Sequence, residues 1–298
     1  MTSEQLTLTT KNFNIDNLVV CEPTKNSRGG WNIRLKYKSP VTGEPVDFKV
    51  QTPKLKTPFG ASKFKVDDPN VQPKYSLNLT VDPKDAKMGP FYKMLEALDE
   101  KVLRTVISTY PKTINLKNPK KKSVEDLMET YVDMGNFKKM VRYSKKDPNG
   151  EKYPPTISLK LKFDEKSNTL YSKVYNKNDM SKRVQVTKEN VEDVLASRLE
   201  MRSLLLINSV WFIDSKFGIT INANEMLLYP GQASMGCQIE ESDDEMADEM
   251  EKLELENEQE DEPEAENEES DDIDITDDEE EEPEEEEKPK RRGRRSKK

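Results

Sequence analysis

Trp31–Lys38 reads WNIRLKYK, and its alternation is the clearest in the chain. Successive side chains of a strand point to opposite faces, so Trp31, Ile33, Leu35 and Tyr37 share one side and Asn32, Arg34, Lys36 and Lys38 the other. One side can pack against a core; the other is cationic. Residues 39–45 (SPVTGEP) place Pro and Gly where a turn uses them. Residues 46–51 (VDFKVQ) then return with the same alternation, so the two runs are expected as an antiparallel hairpin.

The pattern recurs outward from this hairpin. Strands are expected at 13–20 (FNIDNLVV), closed by a turn at Glu22 and Pro23, and at 75–81 (YSLNLTV), 137–143, 156–163 (TISLKLKF), 170–175 and 183–186. The run 203–213 (SLLLINSVWFI) is apolar on both faces, which predicts a central strand, with 217–228 as its hairpin partner. Trp211 is expected in the core there, and Trp31, Tyr37 and Tyr75 fall on the packing side of their strands. The stretch 52–73 is too rich in Pro and Gly for a regular element.

Three helices are expected. Pro90 suits a first helical turn, and Phe91, Met94, Leu95, Leu98, Val102 and Val106 recur at helical spacing up to Pro111. Ser123 and Asp126 are placed as a capping box for 124–134. Asn190 would cap a third helix, 190–201, with Val191, Val194, Leu195 and Leu199 inward. The helices fall in separate blocks and none lies between the first four strands. The expected class is therefore α+β, a dominant antiparallel sheet curled or closed into a barrel with about three helices.

Charge divides the chain. It has 298 residues with 48 Lys and Arg, 58 Asp and Glu and no His. Residues 240–287 hold 31 acids and one lysine, and residues 288–298 (KPKRRGRRSKK) hold eight bases, so the first 239 residues carry an excess of 12 positive charges. The acidic run has almost no large apolar side chains to offset chain entropy, so 239–287 is expected to be disordered. The divisions expected are a flexible start at 1–12, a binding domain over 13–238, the acidic tail, and a terminal basic cluster that resembles a nuclear-import signal. A basic body tied to its own polyanion points to a polyanionic ligand, nucleic acid first.

Composition also excludes. Without histidine, His-based triads and Cys/His zinc sites are impossible. Cys21 and Cys237 lie far apart with no CxxC spacing, as inert thiols do. No P-loop, G-x-G-x-x-G or kinase signature is present. The reading is a binder rather than an enzyme, with no catalytic residue, metal or cofactor. No run of 18 apolar residues argues for a membrane span, and the N-terminus has neither the basic start nor the apolar core of a signal peptide.

Single strands are held by cations that follow phosphates and by aromatic faces on which bases stack. Candidates where the two occur together are Arg34, Lys36, Lys38, Lys49, Lys54, Lys56, Phe59, Lys63, Phe64, Lys65, Arg142, Tyr143, Lys160, Lys162, Lys173 and Tyr175, with the loop between Gln51 and Tyr75 foremost. Each lysine has a plainer reading as part of a solvated strand face.

The order of WNIRLKYK, PVDFKVQTPK, YSLNLTV, FYKMLEALDE, TISLKLKF and RSLLLINSVWFIDSKFGI, followed by an acidic tail, resembles the single-stranded DNA-binding proteins of large nucleocytoplasmic DNA viruses. That resemblance covers roughly residues 13–230. It implies an OB-like barrel with additions, coating of single-stranded DNA (RNA being left open) during replication, recombination or repair, self-association, and an intracellular place, host cytoplasm or nucleus. The tail is similar to those through which bacterial and phage single-strand binders contact replication partners, but it ends basic and lacks their hydrophobic tip. Against this stand a histone or protein chaperone acting through the tail, which has little need of a basic body, and a carboxylate and magnesium nuclease, which has only scattered acids in its favour.

Overall fold

Two runs of 14 residues, Glu200–Ile213 and Lys216–Tyr229, form a long antiparallel hairpin along which the rest of the sheet is assembled. The structure, a computed structural model, describes residues 6–26, 29–64, 73–116 and 122–229. The expected disordered tail, the basic cluster and Lys65 therefore lie outside the described residues.

In chain order the first strands are β1 (Leu18–Lys25), β2 (Trp31–Lys38), β3 (Pro45–Asp47), β4 (Lys49–Gln51), β5 (Leu55–Lys56), β6 (Ala61–Phe64) and β7 (Lys74–Thr80). Helices α1 (Gly89–Thr109) and α2 (Val124–Asp133) follow, then β8 (Phe137–Lys138), β9 (Val141–Arg142), β10 (Thr156–Leu161), β11 (Lys173–Asn176), β12 (Asp179–Val184), the single turn α3 (Val191–Val194), and β13 and β14, the long hairpin. One edge of β13 receives β2, β4 and β5 in succession, all antiparallel. The free edge of β14 receives β8, β10 and β11, all parallel. The class is the expected α+β, an open curled sheet with three helices, but the sheet is mixed because β14 takes parallel partners.

The curl comes from residues 49–64. β5 pairs with β13 and β6 pairs with β7, so one stretch of chain runs from one side of the sheet to the other and brings β5 against β7. Apolar side chains of the inner face, including Ile33, Leu35, Tyr37, Val50, Leu77, Leu159, Leu205 and Met226, form one core with the α1 stripe from Phe91 to Ile107. Asp99 sits within that stripe. It accepts a hydrogen bond from the Met140 backbone at 2.9 Å, and burial pushes its carboxyl up to about 7. The capping box of Ser123 and Asp126 forms with both of its bonds.

Several local expectations give way, each for a structural reason. The segment 13–20 starts as a 3-10 turn, Ile15–Asn17, and β1 continues through Glu22 and Pro23 instead of ending there. A bulge between Val20 and Pro23 absorbs the proline on a strand that pairs, among the described residues, only with β2. The stretch 52–73 contains two short strands, β5 and β6. Residues 137–143 make two separate strands, β8 on β14 and β9 on β10. Beyond Asp47 the chain leaves β2, and residues 49–51 pair with β13 instead. The strand expected at 170–175 begins at Lys173, and that at 183–186 is the end of β12.

The third helix stops after one turn. Carbonyls that a longer helix would use are taken from a distance: Leu195 O accepts from Ala61 N at 2.8 Å, Ala196 O from Thr57 Oγ1 at 2.8 Å and Leu199 O from Thr57 N at 2.9 Å. Gly60, at φ +83°, permits this approach; a Cβ there would lie 2.7 Å from Leu195 O. Asn190 makes no cap hydrogen bond to α3; its side chain accepts from Thr187 N and donates to Gln185 O. At the N-terminus, Leu8 is buried and its backbone bonds to Lys49 and Gln51.

Candidate functional site

The outer face of the sheet is set by two asparagines. A register shift at Asn208 inserts one residue into β13 and another at Asn224 inserts one into β14. Inward positions on β13 are therefore Met201, Ser203, Leu205 and Ile207 up to the bulge and Val210 after it. Trp211 falls outward, half-buried, and not in the core as expected.

Reading across the strands gives rows of outward side chains. One row runs from Asn32 through Trp211 and Gly218 to Lys138. The next runs from Arg34 through Ser209 to Thr220. A third runs from Lys49 through Leu206 and Asn222 to Lys160, and ends on β7, which is buried on both faces from Tyr75 to Leu79. These three rows draw cations from β2, β4, β8 and β10 and contain no acid.

Further along the hairpin the rows change character. Gln51, Leu204, Glu225 and Lys173 align, then Arg202, Leu227, Tyr175 and Arg183, then Lys56, Glu200 and Tyr229. Here acids and carbonyls engage Lys173, Lys54 and Arg183. Lys173 bonds Glu225 at 3.2 Å. Lys54 forms an ion pair with Glu200, which holds that carboxyl below its ordinary range, and lies 4.8 Å from the centroid of Tyr229. Arg183 donates to the carbonyls of Leu170 and Ser172.

The structure thus divides the sequence candidates. Arg34, Lys49 and Lys160 fall in the first set of rows, with Lys36 and Lys38 further along β2 on the same side, Lys36 across from Asp47. Lys54, Lys56, Lys173 and Tyr175 fall in the second set. Lys63 and Phe64 lie on the edge strand β6, where Lys63 sits 5.9 Å from the Tyr75 ring, Lys162 follows the end of β10, and Phe59 is half-buried in the connection between β5 and β6. Arg142 is exposed on β9, while the Tyr143 hydroxyl is 2.9 Å from that of Tyr92 on α1. The loop between Gln51 and Tyr75, expected foremost, contributes only Lys54 and Lys56 to this face among the described residues. Sequence reasoning passed over Trp211, Lys138, Arg183 and Arg202; the inserted Asn208 is the signal that could have turned Trp211 outward. Tyr37 and Tyr75 are core, and Trp31 is half-buried with the Lys25 ammonium 5.3 Å from its ring. Among the described residues no three Cys, Asp or Glu side chains are grouped to hold a metal ion, and no helix is long and apolar enough to cross a membrane.

Fold and face together define an α+β protein with a cationic, partly aromatic outer sheet surface. The chain belongs to the family described as a protein of unknown function (DUF2738), whose sequence pattern matches residues 11–287. No curated protein matches it. Among solved structures it is similar to the single-stranded DNA-binding protein of bacteriophage Enc34 in complex with ssDNA, with 12% identity over 74% of this chain and 99% of that one and a TM-score of 0.40. It is also similar to gp2.5, a single-stranded DNA-binding protein encoded by bacteriophage T7, with 12% identity over 64% of this chain and 98% of that one and a TM-score of 0.35. Superpositions this loose leave function to be argued from this chain's own residues.

Proposed function

We propose that this chain binds single-stranded DNA without regard to sequence, as a non-catalytic coating protein. The contact surface is the set of rows through Trp211, Arg34 and Lys49. The observation that carries the reading is that strand register brings cations from four strands, distant in sequence, onto one face beside an indole, with no acid among them. Such a surface follows a phosphate chain and offers an apolar surface to bases.

Residues 240–287 act in this proposal as a tethered competitor that occupies the cationic face until a stronger polyanion displaces it, and is then available to replication or recombination partners. Roles in replication, recombination and repair, self-association, and a place in the host cytoplasm or nucleus belong to the same proposal. The test is anisotropy titration of labelled oligo-dT, at several salt concentrations, with the full chain and with a chain lacking residues 240–287. Log affinity should fall linearly with log salt by about 0.7 units for each phosphate neutralised, and the shortened chain should bind more tightly. A flat salt response would exclude an electrostatic face; equal or weaker binding by the shortened chain would exclude the competitor. The acid-rich composition of 240–287 also favours a histone chaperone, and a chain that captures histones yet ignores oligo-dT would establish that reading instead.

A further inference from the structure

Resting on that reading, we propose that Trp211, laid on Gly218, is the platform on which one unpaired base stacks, and the side chain through which this face prefers single strands to duplex. Gly218 lies directly across from Trp211 in the hairpin. A Cβ at position 218 would fall 2.9 Å from indole Cζ2, 3.1 Å from Cε2 and 2.9 Å from the carbonyl oxygen of Lys138. Glycine is therefore what lets the indole press against the backbone of β14.

The core at this level is complete without the indole. Val210, Phe217 and Ile219 fill the inner side, and Phe212 stacks on Phe217 with centroids 5.6 Å apart and planes within 15°. Trp211 is a half-buried aromatic on the outward side of the sheet, one part of its ring against Gly218. Arg34 is its diagonal neighbour across β2, at a spacing of roughly 7–8 Å between such positions, within reach of a long side chain. A phosphate held by Arg34 therefore places the attached nucleotide beside the ring.

Cations alone do not separate single from double strands, because both present phosphates. A base face is open to an indole only when the base is unstacked and unpaired, and the loss of such a stack costs roughly 5- to 150-fold in affinity. The other half-buried aromatics of this face, Tyr175 and Tyr229, lie further along the hairpin in the rows that carry Arg183 and Glu200, and Leu204, Leu206 and Leu227 are aliphatic.

The experiment uses the full chain and three ligands of equal length: oligo-dT, an abasic oligomer with the same phosphates, and a duplex. Trp31→Phe leaves Trp211 as the sole tryptophan. Its fluorescence should be quenched by oligo-dT and left unchanged by the abasic oligomer. Trp211→Ala should lose roughly 5- to 150-fold for oligo-dT, with abasic and duplex binding and the salt slope unchanged; Trp211→Phe should keep most of the affinity, and Gly218→Ala should reproduce part of the loss by lifting the ring. Equal wild-type affinity for oligo-dT and the abasic oligomer, or equal losses on both in Trp211→Ala, would overturn the platform while leaving the cationic face standing. Absence of binding to all three ligands would overturn the proposed function and the platform with it.

Discussion

The two ends of the β13–β14 hairpin carry similar numbers of cations and differ in whether acids share their rows. At the end bordered by β2, β4, β8 and β10, Arg34, Lys49, Lys138 and Lys160 share their rows with Ser209, Thr220, Asn222 and Trp211, none of them acidic. At the end bordered by β5 and β11, Glu200 and Glu225 neutralise Lys54 and Lys173. The same residue type thus meets two electrostatic surroundings on one surface. A phosphate arriving at the first end meets no carboxylate in these rows, whereas at the second it must displace one already in place. Exposed pairs of this kind contribute only about 0–1 kcal/mol, so displacement is possible, but net attraction is lower.

Charge reversal at the acid-free end should break the contrast most severely. Arg34→Glu with Lys49→Glu should weaken oligo-dT binding on the order of 100-fold near 0.1 M salt and lower the salt slope, since contacts worth about 0.7 each are lost and repulsion replaces them. Unaltered affinity would place the contact elsewhere. At the paired end the sign should invert: Glu225→Gln or Glu200→Gln frees a lysine and should tighten binding about two- to fivefold, consistent with the modest worth of an exposed pair. Lys54→Ala and Lys173→Ala should change affinity by less than about twofold, and a larger loss from either would show that the pairs open for the ligand.

A change on the core side should move stability and leave binding alone. Asp99 is buried in α1 with its carboxyl raised from 3.8 to about 7. The folded state holds its proton more tightly than the unfolded state, so its stabilising effect is present below 3.8 and is lost as pH rises toward about 7. Stability should fall across that window in the wild type by up to about 1.4 kcal/mol per pH unit, seen as a declining melting temperature. In Asp99→Asn the decline should flatten, with oligo-dT affinity unchanged. A parallel decline in both proteins would assign it to other groups.

Much of this architecture is legible in residues whose alternation is uninterrupted. WNIRLKYK forms β2 at the expected residues, and Ile33, Leu35 and Tyr37 are buried at 0%, 2% and 1% exposure. The α1 stripe and the Ser123 capping box are equally local signals and form as expected. What the sequence conceals depends on single inserted residues and distant partners. Asn208 shifts the phase of β13 by one, which moves Trp211 from the side where simple alternation puts it to the other. Thr57 and Ala61, 130 or more residues before the third helix, take the carbonyls that would have extended it. The opposing charges of Lys54 and Lys173 are likewise invisible locally, because Glu200 and Glu225 become their neighbours only once the sheet is assembled.

The account is tested most directly by photocrosslinking the full chain to oligo-dT and mapping the adducts by mass spectrometry. Adducts should concentrate on the peptides carrying Arg34, Lys49 and Trp211. Adducts confined to β5, β11 and β12, or to the basic cluster at residues 288–298, would contradict it.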